Sequence, residues 1–138
     1  MAEFTTSLRV RYCECDPMGV AHHGSFPAWL EEARTEMLRG QGRTYAQMEA
    51  DGLFLVVTKL ELQYRRPARY DDVLDIRVKL ASTTRVKLVH DYAVILKERS
   101  LTENSPSVKG DVLVTGSTTL ACVGRDGKLT ALPEWLQG

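Results

Sequence analysis

The sequence predicts an α+β domain in which a curved antiparallel sheet wraps one long helix. Three observations carry this. Residues 26–39 place apolar side chains at helical spacing, with charged residues on the other side. One segment before the helix and four after it alternate apolar and polar residues with the period of a strand. A flat two-layer sandwich of strands cannot bury a single helix with so strong a stripe. A sheet curling around it buries both the stripe and one sheet face.

The elements follow in order. Residues 5–12 alternate, with Leu8, Val10 and Tyr12 on one face and Arg9 and Arg11 on the other, which predicts a half-buried strand. Asp16-Pro17-Met18-Gly19 breaks it with turn chemistry. In the helix, Phe26, Trp29, Leu30, Ala33, Met37 and Leu38 form the apolar stripe. Glu31, Glu32, Arg34, Glu36 and Arg39 take the opposite side. Ser25 can cap its start, Pro27 suits a first turn, and Gly40 and Gly42 end it. Thr44 to Gln47 has capping-box spacing and opens a short second helix that stops near Gly52.

Everything after Gly52 reads as strand. Leu60, Leu62 and Tyr64 alternate with Lys59, Glu61 and Gln63, and Leu74, Ile76, Val78 and Leu80 with Asp75, Arg77 and Lys79. Residues 86–97 form a long strand, apolar on much of both faces. A polar loop at 99–110 precedes the last long strand at 112–123, and Asp126-Gly127 marks a tight turn. These four strands are expected to be joined as hairpins. The outer face of the 86 and 112 strands is too apolar for water, which points to self-association.

Bulk properties narrow the function. A chain of 138 residues suits one domain, spanning 1–138. Eighteen basic and eighteen acidic residues cancel, so no global field points to nucleic acid or an anionic membrane. Residues 1–8 lack an apolar signal core and no apolar run could insert into a bilayer, which makes the cytoplasm the expected compartment. Cys13, Cys15 and Cys122 suggest no disulfide framework.

The chemistry concentrates in residues 12–29. An Asp sits in the joint between strand and helix, followed by a row of helix-initiating N–H groups. A carboxylate beside such dipoles offers a nucleophile or base together with a cradle for a developing oxyanion, the two requirements of acyl transfer.

Val10-Arg-Tyr-x-Glu-x-Asp16-x-Met-Gly-Val20, His23 and Trp29-x-Glu-Glu-Ala-Arg-Thr-Glu36 resemble the acyl-CoA thioesterases of the 4-hydroxybenzoyl-CoA thioesterase and YbgC type. Leu62-Gln-Tyr-x-x-Pro-Ala-x-x-Asp-Asp72 is similar to a second block of that family, and Val123-x-Arg-Asp-Gly127 to its closing hairpin. The resemblance implies a hotdog fold, a five-stranded curved antiparallel sheet around one long helix. It also implies a homodimer or homotetramer with the site between protomers, an acyl-CoA substrate and no cofactor.

Residue by residue, the resemblance makes Asp16 the catalytic carboxylate, attacking the thioester carbon or orienting a water. It makes His23 the residue whose backbone N–H faces the thioester carbonyl. Gly19 and Phe26 fall on the substrate-binding wall, and Arg85 and Lys87 on the nucleotide side. Gly24-Ser25-Phe26 departs from the Ala-Asn-Tyr that is frequent in relatives, which bears on the acyl group accepted. Arg65, Arg66 and Arg69 are further cations available to CoA phosphates.

Three other readings compete. A non-catalytic acyl- or CoA-binding module fits the same fold. A hotdog dehydratase would use a His with Glu31 or Glu32. A zinc site from Cys13, Cys15, His22 and His23 lacks standard ligand spacing, and two strand-end cysteines packing on the core explain the pattern more simply.

Overall fold

A computed structural model describes residues 2–100 and 109–137. Strand β1 (Glu3–Arg9) passes through a 3-10 turn at Tyr12–Glu14 and another at His23–Ser25, which runs straight into α1 (Phe26–Gly40). Helix α2 (Tyr45–Ala50) follows, then β2 (Phe54–Tyr64), β3 (Val73–Thr83), β4 (Lys87–Glu98) and β5 (Val112–Val123), with a closing 3-10 turn at Glu134–Leu136. The strands make one antiparallel sheet in the order β1-β3-β4-β5-β2, packed around α1 as the hotdog arrangement requires.

All six residues of the expected helix stripe are buried against the sheet. A buried Leu or Met side chain contributes about 1.5–3 kcal/mol, so the stripe dominates the helix's attachment. Phe26, Trp29, Leu30 and Ala33 meet Leu74, Ile76, Val94 and Leu113 in one core group. Leu38 meets Met48, Leu80, Leu88 and Leu120 in a second, at the far end of α1. The short helix also follows expectation: Gln47 N donates to Thr44 Oγ1 at 3.1 Å, and Thr44 N to Gln47 Oε1 at 3.1 Å.

Several expectations need correction. Strand β1 ends at Arg9, so Tyr12 leaves the inner face, lies 81% exposed and meets only the edge of Tyr70. Ser25 does not cap α1, because the preceding 3-10 turn already holds its backbone helical; its hydroxyl donates to Glu14 O at 2.9 Å instead. Arg34 is buried rather than on the polar side. It finds polar partners on the sheet, donating from Nη1 to Tyr92 OH at 3.1 Å, while that hydroxyl bonds Thr118 Oγ1 at 2.7 Å. Cys13 and Cys15 belong to no strand, and Cys13 is exposed.

The sheet order differs as well. The β3–β4 and β4–β5 pairs are hairpin neighbours, but β2 crosses to the far edge and pairs with β5. Gly116 of β5 permits this pairing. A Cβ there would sit 2.6 Å from Glu61 O and 2.8 Å from a Leu62 methyl, a separation that real side chains do not tolerate. As an edge strand, β2 leaves Leu60 and Tyr64 41% and 51% exposed, with Val56 and Val57 also open. On β4 the outer-face residues Val89, Ala93 and Ile95 are half-buried.

The hairpin after β5 turns as expected, with Gly127 at φ +78° and its N–H on Gly124 O at 2.9 Å. Of the polar loop at 99–110, residues 101–108 lie outside the described residues. Among the described residues no helix is long and apolar enough to cross a membrane.

Candidate active site

The end of β1, the end of β2, the start of β3 and the start of α1 gather at one end of the molecule. Val10 N donates to Asp72 O at 2.8 Å, Ala21 N to Ala68 O at 2.8 Å and Tyr70 N to Gly19 O at 3.0 Å, so the 67–72 connection is laced to the 10–22 loop. Asp72 itself is 1% exposed and accepts both Arg99 Nε at 2.9 Å and Arg99 Nη2 at 2.7 Å. This two-pronged pair pins the connection to the end of β4 and gives the loop a rigid floor.

Residues 14–22 form a narrow hairpin on that floor. Cys15 bridges Ala21, Asp16 N donates to Val20 O at 2.9 Å, and His22 N to Glu14 O at 2.8 Å. Its tip is the Asp-Pro-Met-Gly turn. Asp16 Oδ1 accepts Met18 N at 2.9 Å, and Asp16 O accepts Gly19 N at 2.9 Å. Gly19 takes φ +77°, and the space where a Cβ would project is open for 4 Å. One oxygen of Asp16 is therefore fixed by its own turn, and the half-buried carboxylate is oriented by backbone alone.

Glu14 joins this hairpin to the helix. Its Oε1 accepts Arg11 N at 2.7 Å and its Oε2 accepts the Trp29 indole N–H at 2.7 Å. Burial opposes its ionisation, but the Arg11 amide, the Trp29 indole and the Arg11 guanidinium outweigh it and hold the carboxyl below its usual range. Cys15 moves the other way: burial, then the charges of Glu14 and Asp16, push its thiol up, so Cys15 is no thiolate nucleophile at neutral pH.

At the helix start, His22 Nδ1 accepts Gly24 N at 3.0 Å and its ring stacks on His23 at 4.1 Å. That leaves the His23 N–H with no acceptor among the described residues. Tyr64 donates its hydroxyl to His23 O at 2.9 Å, fixing this peptide from the β2 side. Its ring meets the edge of Phe26 at 5.3 Å, and Phe26 in turn meets Trp29 at 4.7 Å.

Beside His23 opens a cleft of about 310 Å³ lined by Ala21, His23, Phe26, Tyr64, Arg65 and Arg66, with Pro67 and Ala68 as its floor. Asp16 is not part of that lining. Phe26, expected on the substrate wall, is there but only 2% exposed, so most of it serves the core.

Arg85 and Lys87 lie elsewhere. Lys87 opens β4 opposite Ala121, and Arg85 O accepts Leu132 N at 2.8 Å. Strand β4 has twelve residues and its other end, Glu98, pairs with Val73 beside the Asp16 loop. At about 3.3 Å per residue the two ends stand about 35 Å apart. Arg85 and Lys87 thus lie at the end of β4 opposite the Asp16 loop, whereas Arg65 and Arg66 are at the cleft.

Glu14 and Tyr64, which bond the hairpin and the start of α1, appear in the motif blocks of the sequence but were given no role there. Their signal is faint: a Glu two residues before the Asp, and the Tyr that ends the strand before Arg65. Among the described residues no group of three His, Cys, Asp or Glu side chains is placed to hold a metal ion.

Residues 18–103 match a family model described as the thioesterase superfamily; the match begins two residues after Asp16. The acyl-CoA thioester hydrolase YbgC of Escherichia coli O6:H1 is 36% identical over 98 residues, 71% of this chain and 73% of that protein. The acyl-CoA thioesterase YbgC of Haemophilus influenzae is 30% identical over 121 residues, 87% and 80% of the two chains. Among solved structures, the DHNA-CoA thioesterase of Staphylococcus aureus has a TM-score of 0.81 at 29% identity, covering 96% of this chain and 80% of that one.

Proposed function

The chain belongs to the thioesterase superfamily, and from that membership we propose that it hydrolyses an acyl-CoA thioester at the joint between Asp16 and the start of α1. The observation that carries this reading is the His23 N–H, a helix-leading amide without an acceptor among the described residues, at the end of a hairpin whose turn holds the Asp16 carboxylate. The thioester oxygen accepts from that amide and from the helix dipole behind it. Losing one such donor costs about 2.7–4 kcal/mol of barrier.

Asp16 supplies the second element through the carboxylate oxygen not used by Met18. It attacks the acyl carbon directly, or it takes a proton from a water that does so. On either route the C–S bond breaks and CoA leaves as a thiolate, which needs little general-acid help. The water route gives the free acid at once, whereas direct attack leaves an Asp16–acyl anhydride that a water then hydrolyses to the acid and the Asp16 carboxylate. Gly19 keeps the approach to the turn open, Phe26 and Tyr64 give the acyl group an apolar wall, and Arg65 and Arg66 are cations within reach of phosphate.

Arg85 and Lys87 serve a site on a second copy of the chain. The outer edge of β2 has no strand beside it and carries Val56, Val57 and Leu60 exposed, features of a pairing edge. Antiparallel pairing of two β2 strands would bring each protomer's Lys87 end toward the other's Asp16 end. The working unit is then a homodimer, or a dimer of dimers, of the one-domain chain.

Asp16→Asn tests the reading. Asn retains the oxygen that Met18 N–H requires, so the turn survives. Turnover of an acyl-CoA panel, followed by thiol release, should fall about a hundredfold or more, with the melting temperature within about 2 °C of wild type. A variant that turns over like wild type makes Asp16 a turn residue, whereas a wild-type chain that binds CoA yet releases no thiol from the whole panel is a non-catalytic acyl- or CoA-binding protein.

A further inference from the structure

A second cavity, of about 360 Å³, lies at the other end of α1 between the helix and the sheet. Its apolar walls are Met37, Leu38, Leu55, Leu80, Leu88 and Leu136, and Arg43, Tyr45 and Trp135 stand at its side. Arg34 lines it two turns along the helix from Phe26, about 12 Å further on. The volume falls in the range of small-molecule pockets, roughly 300–1,000 Å³.

Its polar groups are one-sided. Arg34 and His90 are 7% and 3% exposed, and Arg34 Nε and His90 Nδ1 are buried without a hydrogen-bond partner among the described residues. Arg43 reaches over the Trp135 ring at 4.8 Å. No Asp or Glu is among the lining residues. Glu31 Oε2 is 3.9 Å from Arg34 Nη2, and the Glu31 side chain is 71% exposed. The buried guanidinium has the Tyr92 hydroxyl and a distant, solvated carboxylate as partners, and its Nε has none among the described residues.

We propose that this cavity is a second ligand site, taking an apolar monocarboxylic acid with its carboxylate on the Arg34 side and its hydrocarbon among Met37, Leu38, Leu80 and Leu88. The acid supplies the charge that the lining lacks, and its tail replaces apolar wall-to-water contact. A neutral amphiphile of the same length would gain only the second of these. The site stands on its own lining and does not depend on the reaction at Asp16.

The test is calorimetric titration of the full chain with decanoate, kept below its micellar concentration, and with decanol. Decanoate should bind once per chain and decanol about tenfold more weakly, the difference a charged hydrogen bond makes. Arg34→Met should remove that difference by weakening decanoate alone. Arg43 is exposed and its side chain meets the surface ring of Trp135, outside both core groups. Arg43→Ala therefore leaves the core intact whatever the fate of the first variant, and it should weaken decanoate about threefold. Saturating CoA should leave decanoate binding unchanged. Equal affinity for acid and alcohol, wild-type decanoate binding by Arg43→Ala, absence of binding, or displacement of decanoate by CoA would each overturn the proposal.

Discussion

Glu14 and Asp16 stand two residues apart and do opposite work. Glu14 spends both oxygens on Arg11 and Trp29, while Asp16 spends one on its own turn. A sequence scan sees two acids in one loop and singles out Asp16, because the Asp-Pro-Met-Gly turn and the following helix are local signals. Glu14, Tyr64 and Arg34 stand in recognisable motif blocks, but the bonds they make are not legible there, since their partners are 15, 41 and 58 residues away. His90 was hidden for the same reason. Burial, then the Arg34 charge, lowers its pKa to about 4; Tyr92 lies alongside at 6.2 Å. An unfolded imidazole titrates near 6.5, so between these values the unfolded chain holds a proton that the folded chain does not. Stability should therefore fall as pH drops from about 6.5 to 4, by about 3 kcal/mol from this group alone. His90→Phe keeps the ring without the titration. Urea unfolding at pH 7 and pH 4.5 should show the wild type losing more than the variant, and equal losses would remove His90 as the source.

Elements were read better than their arrangement. Helix periodicity, the Thr44 capping box and the alternation of β3 are set by neighbours in the chain and reappear in the structure, whereas the alternation expected through Tyr12 and along Leu60 and Tyr64 does not. The crossing of β2 to the β5 edge is not local: it depends on Gly116 meeting Leu62 and on the Asp72–Arg99 pair anchoring the connection. The joint between hairpin 14–22 and α1 is the element-level feature that function needs. Glu14 clamps it from one side and Tyr64 from the other. Glu14→Ala removes three charge-assisted bonds, from the Arg11 amide, the Arg11 guanidinium and the Trp29 indole, and leaves the indole N–H without its acceptor. Each such loss costs about 1.5–3 kcal/mol. We expect denaturant unfolding to move to lower concentration and turnover to fall with it. Asp16→Asn should lower turnover alone. If Glu14→Ala unfolds like wild type, the clamp does not hold the helix to the hairpin.

At the scale of the whole molecule, the separation of the charges decides where a complete site can form. One chain brings His23, Arg65 and Arg66 to one cleft near the Asp16 hairpin and leaves Arg85 and Lys87 at the other end of β4, a strand about 35 Å long. If the latter pair binds nucleotide, it does so for a neighbour, and the edge of β2 is where that neighbour attaches. Arg85→Ala should then raise KM for an acyl-CoA more than for the matching acyl-pantetheine, which has no nucleotide to lose. A mixing experiment is sharper. Asp16→Asn and a combined Arg85→Ala, Lys87→Ala variant are each poor at low acyl-CoA concentration, the first in turnover and the second in affinity. Co-expressed and co-purified through two different tags, a mixed dimer contains one site with both defects and one with neither. Recovery of about half the wild-type kcat/KM per dimer follows from that geometry. Mixed dimers no better than the average of the two parents would mean that each chain completes its own site, with Arg65 and Arg66 as its phosphate cations. A monomeric mass by light scattering would lead to the same conclusion by a shorter route.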